Sequence, residues 1–418
     1  MRHCLSLRLL AVLSVLALAA CGGGGTSDSG PSFFAFATFQ EASVAVGQAD
    51  LASNMVNGGG GINADTLNVP GAPCVVGARL FIADMGNNRV LGFNSIPTAS
   101  GASADFVVGQ ADLMSGAANA GGAASAGTLN GPWAVAETGG TFVVADTGNH
   151  RVLLYSAVPT ATGATASVAL GQPSLLGVLA NQGGAATAGT LSAPTGIHAV
   201  GTKLLVCDTS NNRVLIWNTI PTTNGQAADI VLGQADGAGA MANRGVVGAP
   251  TANTLFSPFG VWSDGTRVVV ADGGNHRVLI WNSFPTASGQ GADIVLGQGS
   301  FGSQLAATTQ LGMNVPTDVS SDGTKLVVGD CENNRVLIYD AFPVASNTAP
   351  TTVLGQGVFT LGAGNDDNQD GLTDGPGIGV CTAKTVNTTS GFSFVTLFGT
   401  RLFLGDRRNS RIVIYEGM

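Results

Sequence analysis

Charge is scarce in this chain. Of its 418 residues only 10% are Asp, Glu, Lys or Arg, and 26 acidic residues outnumber 17 basic ones for a formal net charge of −9. No basic cluster is present to neutralise phosphates, which excludes nucleic acid as an expected partner. Histidine is rarer still, at four residues, so little imidazole is available for a metal or acid–base centre. A Gly-x-Ser-x-Gly elbow, a Cys-x-x-Cys pair and a phosphate loop are all missing, which removes the commonest hydrolase, redox and nucleotide signatures. Past the first twenty residues no long helical period is found.

What is abundant is glycine, 62 residues of it, with short runs of Ala, Val and Leu set between Gly, Asn, Thr and Pro. That is the composition of strands and turns. The pattern also repeats. Six times an Asp is followed five residues later by an Arg: Asp84–Arg89, Asp146–Arg151, Asp208–Arg213, Asp272–Arg277, Asp330–Arg335 and Asp406–Arg411. Around each pair the unit reads alike. A segment led by Pro (PWAVAE at 132, PFGVWS at 258) is followed by a strand such as TFVVAD at 141. Then come the Asp-to-Arg turn, a strand such as RVLIWN at 213, and a last strand running into Gly-Gln. Four short strands per tandem unit predict a β-propeller blade, since each unit can bury its apolar face only against its neighbours.

The sixth unit ends at RIVIYEGM without a Gly-Gln strand, while SVAVGQAD at 43–50 offers a spare one near the start. Supplying it to the final sheet would close the ring and remove two exposed edges. The expected fold is therefore all-β: a six-bladed β-propeller with four-stranded blades, its N-terminal strand completing the last blade. The segments VADTGNHRVLLY, VADGGNHRVLIWN and VCDTSNNRVLIWN resemble NHL repeats, and the resemblance covers residues 33–418. It implies the propeller fold but leaves activity open. NHL propellers include protein-binding and RNA-binding modules, and related six-bladed propellers include lyases and lactonases.

Residues 1–20 read as an export signal, with Arg2 and Arg8 beside the apolar run Leu9 to Leu18. The run ends in Leu18-Ala19-Ala20-Cys21, which resembles the lipobox of bacterial lipoproteins. The resemblance implies cleavage before Cys21, lipidation of its sulfur and stable membrane attachment. Residues 21–32, rich in Gly and Ser, form the expected tether. Gly22 rather than Asp follows the Cys, which in such lipoproteins directs the protein to the outer membrane. The expected location is the bacterial cell envelope.

Leader removal and lipidation leave Cys74, Cys207, Cys331 and Cys381, which permit three full pairings that sequence does not rank. Cys207 occupies a slot held elsewhere by Ala83, Ala145 and Ala271, as a small buried thiol would. Cys331 and Cys381 fall on one propeller face in neighbouring blades and are the expected disulfide. Because the Asp–Arg pairs recur in every blade, they are read as scaffold. The same holds for the Gly-Gln glutamines, and for His150 and His276, which share a slot with Asn88, Asn212 and Asn334.

Function should then lie where the blades differ. The variable inner-strand positions are Trp133, Glu137, His198, Phe259, Trp262 and Asp318, which could floor a ligand pocket or simply fill a narrow channel. The connector into the sixth blade holds Asp366-Asp367-Asn368-Gln369-Asp370-Gly371-Leu372-Thr373-Asp374. This resembles the calcium loops of integrin-type propellers, dockerins and EF-hands. The resemblance implies side-chain oxygens from Asp366, Asn368, Asp370 and Asp374, the carbonyl of Leu372, and a structural Ca²⁺. Gly377 stands where an EF-hand has its bidentate Glu. The leading expectation is a membrane-anchored, non-catalytic module presenting loops to a protein, glycan or small ligand. The alternative is a propeller enzyme of lyase or lactonase type with a metal-assisted site in the channel.

Overall fold

The computed structural model describes residues 34–246, 248–373, 381–388 and 393–418. Its strands form six four-stranded antiparallel sheets. The innermost strands are Pro70–Val76, Pro132–Thr138, Pro194–Val200, Pro258–Ser263, Pro316–Ser321 and Ser393–Phe398. Each packs beside the next, and the sixth beside the first, so the sheets are the blades of a closed six-bladed propeller. Among the described residues no helix is long and apolar enough to cross a membrane.

Each blade starts where its sequence permits. Pro132 pairs with Asp146 as the first residue of its strand, where its missing N–H costs no ladder bond. A register shift then carries the pairing to Val135 and Val144, and the first five blades all show such a bulge. The sixth inner strand lacks the proline and pairs without a break from Ser393–Asp406 to Phe398–Arg401. Every outer strand spans three residues and runs into Gly-Gln. That glycine is required: Gly109 has φ +93, and a Cβ there would lie 2.6 Å from Leu129 Cδ1.

The cores lie between blades. Trp217 of blade 3 packs with Leu154 and Val168 of blade 2, and Trp281 of blade 4 with Ile216 and Ile230 of blade 3. Tyr155, Tyr339 and Tyr415 fill the equivalent strand position and are buried.

The ring is closed by the predicted strand. Val44–Val46 is the fourth strand of blade 6, with Val44 opposite Ile414, Ala45 opposite Val413 and Val46 opposite Ile412. The repeated polar residues secure the connectors to the blades. Arg151 Nε donates to Asp146 Oδ2 at 2.7 Å, with both side chains fully buried. Its Nη2 donates to the carbonyls of Ser125 and Thr128 in the connector entering the blade, and Nη1 to Leu175 in the connector leaving it. Asp146 also accepts from the Asn130 amide and from Asn149. All six Asp–Arg pairs are buried ion pairs of this kind.

His150 and His276 do the work of their asparagine siblings. Nδ1 of His150 accepts from the Ala193 amide at 2.9 Å, just as Oδ1 of Asn88 accepts from Gly131 at 2.8 Å. Each such bond ties one blade to the next.

The expected Cys331–Cys381 disulfide is not formed. The Cys331 thiol donates to the Thr388 carbonyl at 3.1 Å, while that of Cys381 points to the Leu51 carbonyl at 3.5 Å. The two thiols thus serve opposite seams of blade 6: Cys331 belongs to the seam with blade 5, and Cys381 to the ring closure. Cys207 is buried, as its alanine siblings suggested.

Candidate functional site

The six inner strands run side by side around a central channel, and differences between blades project into it. Its cavity offers about 50 Å³ to water-sized occupants. Five of the six variable residues line it: Trp133, His198, Phe259, Trp262 and Asp318. Phe394, Ser320 and Thr396 complete much of the wall.

Aromatic rings dominate one part of the wall. Trp133 and Phe259 lie nearly parallel, 6.4 Å between centroids, and Phe394 meets Trp133 edge-on at 5.6 Å. The guanidinium of Arg407 sits 5.3 Å over the Trp133 ring, a cation–π contact. Burial lowers the Arg407 pKa to about 10. Further along, Trp262 contacts His198 with centroids 6.2 Å apart.

The polar atoms of the wall are held by the backbone. His198 is buried with Nε2 2.8 Å from the Ser263 carbonyl, which fixes the donor tautomer on that nitrogen. Burial drives its pKa down to about 4, so the ring is neutral at physiological pH. Asp318 bridges blades 5 and 6: Oδ1 accepts from the Val319 amide at 2.9 Å and Oδ2 from the Val395 amide at 3.0 Å. Its carboxyl pKa is raised to about 7 by burial, which outweighs both amide bonds. Gly260 of blade 4 makes room for it, since a Cβ there would lie 2.5 Å from Asp318 Oδ1.

Glu137 is not part of the cavity. Its Oε1 accepts from the Gly140 amide at 2.6 Å and caps the blade's own inner hairpin, while Oε2 is buried without a hydrogen-bond partner. Ser321, at the equivalent position of blade 5, does line the cavity, so the difference lies in the Glu137 side chain bonding its own hairpin. Sequence reading also missed Arg407 and Phe394. Arg407 follows the repeated Asp, a slot filled elsewhere by Met85, Thr147, Thr209, Gly273 and Cys331, so its charge was a visible outlier. Phe394 was hidden because the sixth inner strand has no leading proline to mark its start.

The acidic connector into blade 6 is described as far as Thr373, and Asp374 lies outside the described residues. Asp366 is buried and accepts from the amides of Asp370 and Gly371, at 3.1 and 2.8 Å. Asn368 accepts from Asp370, and Asp370 from Leu372, so the loop winds around its own side-chain oxygens. Leu372 is exposed. Among the described residues no group of three His, Cys, Asp or Glu side chains is placed to hold a metal ion. Cys21 and the whole leader also lie outside the described residues.

No family model matches the chain, and neither does any curated protein. Among solved structures it is similar in fold to the PQQ-bound aldose sugar dehydrogenase of Streptomyces coelicolor. That match has 13% identity and a TM-score of 0.44, and covers 86% of this chain and 97% of the other. The computationally designed protein Ika8 gives 10% and 0.39, covering 83% and 70%. A nidogen/laminin complex gives 14% and 0.34, covering 69% and 84%. Values this low carry no argument about this chain, and its architecture rests on its own sheets. The class that the sheets and their closure define is the six-bladed β-propeller.

Proposed function

We propose that this chain is a non-catalytic, NHL-type binding module, held at a bacterial envelope membrane by lipid on Cys21. The observation that carries the reading is how the ionisable side chains are used. The six Asp–Arg pairs and two of the histidines secure connectors and seams, and His198 holds a backbone carbonyl. A general acid or base needs a free, suitably tuned proton site, whereas these groups are spent on rigidity. What remains for a partner is the aromatic channel and connectors that expose Met114, Leu176, Met241 and Leu305. The lipobox resemblance supports the anchor. Membrane fractionation of wild type and Cys21→Ala tests it: the variant should leave the membrane fraction, and its retention there would overturn the anchor.

We infer a structural calcium ion at the blade 6 connector from its residue types and their spacing. Asp366, Asn368, Asp370, the Leu372 carbonyl and Asp374 supply only oxygen, the choice of a hard cation. The ion would order an acidic loop, and no reaction step passes through it. The rival lyase or lactonase reading has His198 and Asp318 at one cavity in its favour. Turnover of a lactone by purified protein, lost on Asp318→Asn, would install that reading in place of the first.

A further inference from the structure

Residues 34–55 are seated against blades 5 and 6, although the chain then crosses to blade 1. Ala35 and Met418 exchange backbone hydrogen bonds at 2.9 Å, and the Phe39 amide donates to the Val353 carbonyl at 3.0 Å. Phe34, Phe36 and Ala42 enter the core between blades 5 and 6. Val44–Val46 supplies the fourth strand of blade 6, and Gln48 Nε2 donates to the Ser410 carbonyl at 3.1 Å. The last holds are on Leu51 and Met55, whose carbonyls accept from Arg411 and Gln48. From Asn63 onward blade 1 takes over, because Arg89 Nη2 donates to the carbonyls of Asn63 and Thr66. The segment thus lies in its groove as an extended peptide ligand would, joined to the ring by a short crossing.

That crossing carries glycine where its siblings do not. Gly58 stands in the slot of Ala120, Gln182 and Arg244, and Gly61 in that of Ala123 and Ala185. The backbone does not demand Gly58, since Ala120, Gln182 and Arg244 take the same left-handed conformation, with φ of 54, 56 and 55. Packing does not demand either residue. A Cβ at Gly58 would meet only Thr66 Cγ2, at 3.5 Å, and one at Gly61 would meet nothing within 4 Å. Both are exposed, so what glycine adds here is freedom of the backbone. One side chain in the crossing, Asn57, ties back to Asn87 of blade 1. Fully extended, residues 56–62 reach about 24 Å, enough to lead into an adjoining disc.

We propose that blade 6 is an acceptor site for an extended strand, and that two copies of this chain exchange residues 34–55 across it. Residues 56–62 are the hinge, and the product is a symmetric strand-swapped dimer. Every bond named above is remade in the exchanged form, so concentration sets the balance against the chain's own tethered segment. Exchange passes through a rarely opened ring, and the outer strands of closed rings stay protected. The dimer carries two sets of connectors, which strengthens attachment to a repeating partner without any new contact. The inference is independent of the lipid anchor and of any ligand in the channel.

A cross-link reads the exchange directly. Ala45 turns its backbone away from Val413, its amide to Ser100 Oγ and its carbonyl to the Gly101 amide. The two are therefore a non-hydrogen-bonded pair, the closer kind of cross-strand neighbour. Ala45→Cys and Val413→Cys are purified as separate variants and mixed at about millimolar concentration, where a second copy competes with a short flexible link. After incubation the mixture is oxidised. Only an exchanged segment sets the two new thiols side by side, so a disulfide-linked heterodimer is expected. Each variant alone should give none, as Cys74, Cys207, Cys331 and Cys381 are buried. The double variant, oxidised when dilute, should link within its own chain and cease to exchange. Gly58→Ala with Gly61→Ala should slow heterodimer formation roughly fivefold. Wild type needs no substitution: after the same incubation, gel filtration should show a dimer that persists for hours on dilution, because release requires the ring to open.

No heterodimer, while the double variant links internally, would overturn the proposal. So would a wild-type profile that stays monomeric, or a dimer that separates at once on dilution. Equal cross-linking in the single variants would assign the product to random oxidation and sink it too. An unchanged rate in the Gly58→Ala, Gly61→Ala variant would overturn the hinge.

Discussion

Arg411 Nη1 donates a hydrogen bond to the carbonyl of Leu51, a residue 360 positions earlier in the chain. The bond copies what Arg89, Arg151, Arg213, Arg277 and Arg335 do with the connector leaving their own blades. In blade 6 that connector belongs to the N-terminal segment. Gln48 repeats the lesson, bonding to the Met55 and Ser410 carbonyls as Gln110 does to Ala117 and Asn88. Ring closure therefore reuses the bonds that hold every other blade.

The buried ion pairs should be costly to break. Arg213→Ala leaves Asp208 buried without its cation, and removing one partner of such a pair costs about 3–5 kcal/mol. The paired change Asp208→Asn with Arg213→Met should recover part of that loss. Denaturant unfolding of both variants checks the order, and a harmless Arg213→Ala would contradict the scaffold role.

Acid sensitivity should come in part from His150, His276 and His198. Burial lowers all three pKa values, and each ring is held neutral by the fold. An unfolded histidine protonates near 6.5, so the unfolded state gains protons first as pH falls. Stability from these groups is therefore complete above about pH 6.5 and lost below it, down to about 4 for His198. His150→Asn and His276→Asn copy the sibling slot. They should leave stability at pH 7.5 within about 0.5 kcal/mol and reduce the loss at pH 5. Thermal melts across that range decide it.

Asp318 should act in the opposite direction. Its folded pKa of about 7 exceeds the unfolded value, so its contribution is complete below about 3.8 and lost as pH rises through 7. The slope from this one group is at most about 1.4 kcal/mol per pH unit. Asp318→Asn should remove this group's downward slope in melting temperature between about pH 4.5 and 7. A variant retaining the wild-type slope would assign the titration elsewhere.

Glu137→Gln keeps an acceptor for the Gly140 amide and removes a buried charge whose second oxygen has no hydrogen-bond partner. Stability at pH 8 should rise by roughly 1 kcal/mol. A decrease would show that the carboxylate has a use beyond capping its hairpin.

Calcium should stabilise the protein if the blade 6 connector holds it. At ten times its Kd a ligand specific for the folded state adds about 1.4 kcal/mol. Asp370→Ala should abolish the calcium-dependent rise in melting temperature. The same rise in the variant would remove the site.

The blade plan was legible because it repeats. One Asp-to-Arg spacing, read six times, gave strand order, blade number and the need for Val44–Val46 to complete the last sheet. The channel was less legible. Trp133 and Phe259 stood out because their strands begin at a proline, whereas Phe394 had no such marker. Glu137 looked like a pocket residue because it differs between blades, but its carboxylate bonds the Gly140 amide of its own hairpin. Cys331 and Cys381 were expected on one face in neighbouring blades, but face assignment sets neither the seam a thiol joins nor its direction. Each points to a different carbonyl.

Hydrogen exchange at Val44, Ala45 and Val46 tests the closure on which every channel and face assignment depends. The account predicts that these amides exchange as slowly as those of Ile294–Leu296, the outer strand of an internal blade, and open together with Ile412–Ile414. Fast exchange at Val44–Val46, with the other outer strands still protected, would show an open ring and contradict it.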